Sequence, residues 1–112
     1  MKKITAYIHP HRTAAVIRAL RDSGICDTHP GPACCHITVA PVQCVQATQE
    51  TTQQHYSVEL GEAVVLRNRL ELICGDDKSA ALVDLIIRNG HSGQVGSGWV
   101  QVQELESRTS IS

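Results

Sequence analysis

Hydrophobic residues recur along this chain in two rhythms, and the rhythm changes mark the elements. Ile4, Ala6 and Ile8 alternate with other residues, which predicts a strand over residues 3–8, ended by Pro10. Between residues 13 and 23, Ala14, Val16, Ile17 and Leu20 fall at helical spacing, and Gly24 follows as a C-terminal cap. Residues 26–35 place Pro30 and Pro32 around Gly31 and read as irregular loop. A second strand is expected over residues 36–45, bent or exposed at Pro41. Residues 46–56 are rich in Gln and Thr and carry no period, the pattern of a long functional loop. Residues 63–73 include Leu66, then Leu70 and Leu72 alternating with Arg67, Arg69 and Glu71. They predict a third strand, antiparallel to the second across the loop. A second helix is expected to begin around Gly75-Asp76-Asp77-Lys78, with Asp76 as its N-cap. Ala81, Leu82, Leu85 and Ile86 form its buried stripe and Gly90 stops it. After a glycine-rich turn over residues 92–98, Val100, Val102 and Leu105 alternate on a fourth strand, and residues 106–112 form a loose polar tail.

The resulting order, β-α-β-β-α-β, predicts an α+β, ferredoxin-like fold: a four-stranded antiparallel sheet with two helices on one face. At 112 residues the chain is a single domain, 1–112. Composition adds a constraint. With no Phe, one Trp and two Tyr, the core must come from Val, Ile, Leu and Ala. A small, aromatic-poor domain with a bare sheet face is expected to self-associate. Ten Lys+Arg against eleven Asp+Glu leave a net charge of −1, without the electrostatic footprint of a nucleic-acid binder. No apolar run approaches the roughly 18 residues of a membrane span, and residues 1–7 lack the apolar stretch of a signal peptide. A cytoplasmic protein without membrane insertion is therefore expected. Five Cys cannot form a closed disulfide set, and in that compartment they are reduced thiols or ligands.

Three constellations carry candidate chemistry. Ser92, Gly93, Gly96 and Gly98 could cradle an anion with backbone N–H groups. The same spacing also suits a plain tight turn. Cys26, His29, Cys34, Cys35 and His36 hold the soft donors of a zinc or copper site. Their spacing is not a standard zinc pattern, so a redox pair of Cys26 with Cys34 or Cys35, or ordinary loop residues, are alternatives. His9 and His11 flank Pro10 and titrate near neutrality, yet surface histidines without a task are the simpler reading. No serine–histidine–acid set is evident, and no catalysis is expected.

Residues 1–10 (Met-Lys-Lys-Ile-Thr-Ala-Tyr-Ile-His-Pro) resemble the opening strand of the PII signal-transduction family. Residues 83–88 (Val-Asp-Leu-Ile-Ile-Arg) resemble its second helix, and residues 92–100 (Ser-Gly-Gln-Val-Gly-Ser-Gly-Trp-Val) are similar to its signature T-G-x-I-G-D-G-K-I. The resemblance implies a compact homotrimer with adenine-nucleotide sites in clefts between subunits. It also implies a flexible target-binding loop, here 46–62, that docks on a membrane transporter or metabolic enzyme. Such proteins are sensors, not enzymes. Carried over, the nucleotide site comprises Ile8, Cys44, Arg67, Ser92, Gly93, Val95, Gly96, Ser97, Gly98, Trp99 and Arg108.

The departures shape the expected ligand. Trp99 stands where the family has a phosphate-gripping Lys, and Ser97 stands where it has Asp. Trp99 is read as packing at a subunit interface. The family's Arg-rich C-terminus is reduced to Arg108-Thr109, and Gln46-Ala47-Thr48 replaces a Gly-Arg-Gln segment. Leu60 replaces a tyrosine that some relatives modify, and residues 26–35 form an insertion. Each missing cation removes a contact of roughly 1.5–3 kcal/mol. The resemblance therefore implies AMP or ADP over ATP as effector and no response to 2-oxoglutarate. It favours the carboxysome- and bicarbonate-associated subfamily, with bicarbonate as a second effector and an inorganic-carbon transporter as target. The alternative is a metal-responsive trimer binding zinc or copper through Cys and His and linked to heavy-metal efflux.

Overall fold

Alternation and helical spacing resolve into one sheet flanked by two helices. The computed structural model describes residues 1–25, 36–45, 54–93 and 98–112. Strand β1 spans Lys2–Ile8, and a single 3-10 turn, Pro10–Arg12, leads into helix α1, Thr13–Asp22. Strands β2 (Thr38–Cys44), β3 (Gln54–Ser57) and β4 (Glu62–Cys74) follow, then helix α2 (Ser79–Gly90) and strand β5 (Trp99–Glu104). The sheet runs β2-β4-β1-β5, and every pairing is antiparallel. With α1 and α2 as crossovers, this is an α+β arrangement consistent with the ferredoxin-like plan.

β1 lies at the centre, with Ile4 opposite Leu72 of β4 and Val102 of β5, and Ala6 opposite Leu70 and Val100. Because side chains alternate along a strand, these residues share one face. Ile4, Ala6, Ile8, Leu70 and Leu72 pack there against Val16 and Leu20 of α1 and Leu82 and Ile86 of α2. Removing a fully buried leucine such as Leu20, Leu70 or Leu82 to alanine costs about 2–5 kcal/mol. The opposite face carries Lys3, Tyr7, Arg69, Glu71, Trp99 and Gln101 by the same alternation. Glu71 bridges Lys3 at 3.5 Å and Arg69 at 3.2 Å.

The structure differs from the sequence reading in four places. Residues 54–57, expected within the long loop, form β3 and pair with 62–65 of β4, which makes a fifth strand. The turn between them closes on Gly61, at φ +68°, whose N–H donates to the Ser57 carbonyl at 2.7 Å. The second helix begins at Ser79, not at the acidic pair. Lys78 is its N-cap and makes no side-chain cap hydrogen bond. Asp76 instead places its carboxylate 2.8 Å from the amino group of Met1. The helix stripes differ: in α1 Ala14 is exposed while Thr13 is buried, and in α2 Ala81, expected in the buried stripe, is exposed. Finally, β5 ends at Glu104, although the Leu105 N–H still donates to the Met1 carbonyl at 3.0 Å.

Candidate functional site

β1 and β5 expose their adjoining ends beside the C-terminus of α2, and a cleft of about 430 Å³ opens there. Its walls include Tyr7 and Ile8 at the end of β1 and His9 just after it, Val83, Ile86, Ile87 and Gly90 from α2, His91, Ser92 and Gly93 after that helix, and Gly98, Trp99 and Val100 at β5. Five of the eleven residues expected to bind nucleotide meet here: Ile8, Ser92, Gly93, Gly98 and Trp99. Three more, Val95, Gly96 and Ser97, lie outside the described residues.

Local chemistry explains why the chain folds this way. A Cβ on Gly98 would lie 2.5 Å from the Tyr7 carbonyl oxygen, so only glycine lets β5 start this close to β1. The next residue, Trp99, then faces Tyr7 across the ladder, and the two rings stack with centroids 4.7 Å apart and planes 25° apart. On the other wall, Arg12 holds the end of α2. Its Nε and Nη2 donate to the Asn89 carbonyl at 3.1 and 2.8 Å, a cation on the negative end of the helix. Gly93 turns the chain away with φ +83°. Asn68 of β4 donates to Thr13 Oγ1 at 3.0 Å, and Thr13 Oγ1 donates to the His9 carbonyl at 3.2 Å. This relay fixes the loop that carries His9.

His9 is the titratable group on the β1 wall. Its Nδ1 accepts the His11 backbone N–H at 3.2 Å, and the two rings stack at 5.0 Å. Burial, then the charge of Arg67, then that of His11 hold its pKa below the ordinary 6.5. The shift favours the neutral imidazole. Among the described lining residues there is no Lys, Arg, Asp or Glu.

The remaining predicted residues lie elsewhere in this chain. Arg67 sits in β4 opposite Val42, is 3% exposed, and donates to the Leu66 carbonyl at 2.7 Å. Burial lowers its pKa and the neighbouring Cys44 raises it. Cys44, half-buried at the end of β2, shares that face two positions along the ladder. The charge of Arg67 also helps to lower the pKa of His9 on the cleft wall. Arg108 lines a second cleft of about 260 Å³, together with Lys3, His36, Thr38 and Glu71. Of the five proposed metal ligands only His36 is described. Cys26, His29, Cys34 and Cys35 lie outside the described residues. Among the described residues no group of three or more His, Cys, Asp or Glu could hold a metal ion.

Tyr7 and the α2 residues Val83, Ile86 and Ile87 were not anticipated in the site. Tyr7 was detectable by pairing the first and last strands, because that register sets it opposite Trp99.

No protein-family model matches the chain. Among curated proteins, it is similar to the nitrogen regulatory protein P-II of Porphyra purpurea, 26% identical over 106 residues, covering 95% of this chain and 87% of the relative. It is likewise similar to the nitrogen regulatory protein P-II of Pyropia yezoensis, 27% identical over the same length and coverage. The chain is thus similar, over nearly its full length, to these two nitrogen regulatory proteins.

Proposed function

We propose that this protein is a PII-like regulatory sensor whose cleft between β1, α2 and β5 binds an adenine nucleotide, with AMP or ADP preferred over ATP. Homology to regulatory proteins gives it a signalling role, and it is not an enzyme. The observation that carries the reading is the convergence of Ile8, Ser92, Gly93, Gly98 and Trp99 on one cleft. The described part of its lining supplies two imidazoles, a hydroxyl and backbone groups, and no Lys or Arg. That chemistry suits few phosphates, since each absent cation removes roughly 1.5–3 kcal/mol from a polyphosphate.

In this reading three copies join through the sheet face away from the helices. Val95, Gly96, Ser97, Cys44, Arg67 and Arg108 complete the sites at the seams. Bicarbonate, a compact monoanion, is the second effector. The loop 46–62 reports occupancy to a partner such as an inorganic-carbon transporter. It does so through differential affinity of the ligand for two loop states. No helix among the described residues is long and apolar enough to cross a membrane.

Calorimetric titration of ATP, ADP and AMP, with and without bicarbonate, tests this proposal. The expected order is AMP or ADP tighter than ATP, with bicarbonate changing the affinity. ATP binding far tighter than both would refute the role given to the missing cations. No effect of bicarbonate at millimolar concentration would remove the inorganic-carbon assignment.

A further inference from the structure

The second cleft, at the other end of the sheet, has the opposite chemistry. Lys3, His36 and Arg108, far apart in the chain, meet there beside the Thr38 hydroxyl. The register explains the meeting. Thr38 opens β2 opposite Glu71, and Lys3 stands on the same outer face of β1 as the partner of Ile73, one step along that face of β4 from Glu71. Residues after β5 reach back over the sheet and bring Arg108 to this corner. Glu71 is the one carboxylate among the described lining residues, and it is bridged by Lys3 at 3.5 Å and by Arg69 at 3.2 Å. Those distances exceed the roughly 2.7–2.9 Å of a close charged hydrogen bond. An ammonium has three donors, so Lys3 keeps some to turn toward the cleft. Lys3 and Arg108 against Glu71 leave the lining net positive even with His36 neutral.

We propose that Lys3, His36, Thr38 and Arg108 form a site for a small monoanion with paired oxygens, a carboxylate or bicarbonate, at the end of the sheet remote from the nucleotide cleft. A guanidinium presents its N–H groups as a fork that matches two oxygens on one carbon, and a lone ammonium and a hydroxyl complete the set. The volume, about 260 Å³, lies below the ~300–1,000 Å³ that encloses larger organic ligands, which suits an anion of a few atoms. The outer face is the one that closes between copies in the reading above. Positive side chains of this corner would then lie at a seam, where an anion offsets the cost of burying them. The identification of the anion as bicarbonate rests on that reading; the site itself rests on the side chains of this cleft.

Sodium bicarbonate, sodium acetate and sodium phosphate are titrated into the isotope-labelled full-length protein at constant ionic strength, balanced with chloride, while amide shifts are followed. Bicarbonate or acetate should move Lys3, Thr38 and Glu71 saturably and leave Tyr7 and Trp99 in place. Acetate bound without bicarbonate identifies a carboxylate as the ligand, and bicarbonate bound more tightly identifies bicarbonate. Arg108→Ala, in the exposed tail, and Lys3→Met should each weaken the anion by about tenfold, near the lower end for losing one charge-assisted hydrogen bond. Glu71→Gln removes a negative charge from the lining and should tighten binding. If Lys3→Met does not fold, Arg108→Ala and Glu71→Gln decide the matter by their opposite signs. Equal shifts with chloride alone, phosphate more than about tenfold tighter than either monoanion, or affinities untouched by Arg108→Ala and Glu71→Gln overturn the site, and leave bicarbonate as an effector that acts elsewhere. Binding here while bicarbonate has no effect on AMP affinity upholds the site and removes bicarbonate from the reading above.

Discussion

Three glycines around the cleft should respond to alanine in three different ways, and the contrast follows from what a Cβ would meet. At Gly98 it would lie 2.5 Å from the Tyr7 carbonyl oxygen and 3.6 Å from the carbonyl carbon. Both atoms are backbone in the central strand, so neither can rotate aside. The first residues of β5 must retreat by several tenths of an ångström, which disturbs the Tyr7–Trp99 and Ala6–Val100 pairings. Overpacking of this kind costs about 1–3 kcal/mol. At ~4–8 °C per kcal/mol for a domain near this size, Gly98→Ala should lower Tm by roughly 5–20 °C. Gly93 has open space around its Cβ position but φ +83°, so Gly93→Ala should cost about 1–2 kcal/mol from backbone strain alone. At Gly90 the Cβ would make ordinary contacts, 3.5 Å from Val16 Cγ2 and 3.8 Å from Ile8 Cγ2. Gly90→Ala should therefore be tolerated, and because Gly90 is the last residue of α2 it should stabilise by less than the roughly 0.5–1 kcal/mol that separates the two residues in a helix interior. Thermal melts followed by circular dichroism, with urea titrations for ΔG, measure all three. A Gly98→Ala protein as stable as wild type would refute the close approach of β5 to β1, and with it the geometry of the cleft.

Other expectations are separate. Arg12→Ala removes two hydrogen bonds to the Asn89 carbonyl; it should cost about 1–3 kcal/mol in urea unfolding, and no change would deny the cap. Thr13→Val keeps the buried shape but takes away the acceptor of the Asn68 amide and leaves the His9 carbonyl with the Arg12 N–H alone, an expected loss of about 1–3 kcal/mol by the same assay. The pKa of His9 is depressed in the fold, so the unfolded chain takes up its proton first as pH falls. Its contribution to stability is complete above the ordinary 6.5 and is lost as pH drops through that value toward the folded pKa. An NMR titration should place His9 below 6.5, and His9→Asn should flatten the acid limb of stability below about pH 6.5. A His9 titrating at or above 6.5 would contradict its burial beside Arg67.

Much of this architecture was legible because the periodic segments are strongly periodic. Ile4, Ala6 and Ile8 alternate without exception, and their partners Leu70 and Leu72 repeat the same two-residue step. What was missed depends on partners that no local pattern reveals. Gln54–Ser57 looks like polar loop, and becomes a strand only because 62–65 lies beside it across a tight turn at Gly61. Thr13 reads as polar but is buried, since its hydroxyl both donates to His9 and accepts from Asn68. That draws α1 round by part of a turn and leaves Ala14 outside. Asp76 has the form of an N-cap, yet an ion pair with the Met1 amino group takes its carboxylate, and the helix starts three residues later. In the site, the glycine turn and Trp99 were visible as a motif. The aliphatic wall of α2 was not, because Ile87 is an outward, exposed residue by helical periodicity and joins the lining only through the placement of α2 beside the ends of β1 and β5.

The central claim is that an adenine nucleotide occupies the cleft between β1, α2 and β5. Amide chemical-shift mapping of the isotope-labelled protein during titration with AMP tests it most directly. The account predicts saturable shifts at Ile8, Ser92, Gly93, Gly98 and Trp99, with Lys3, Thr38 and Glu71 at the far end of the sheet little changed. Absence of shifts at millimolar AMP, or shifts concentrated at that far end, would contradict it.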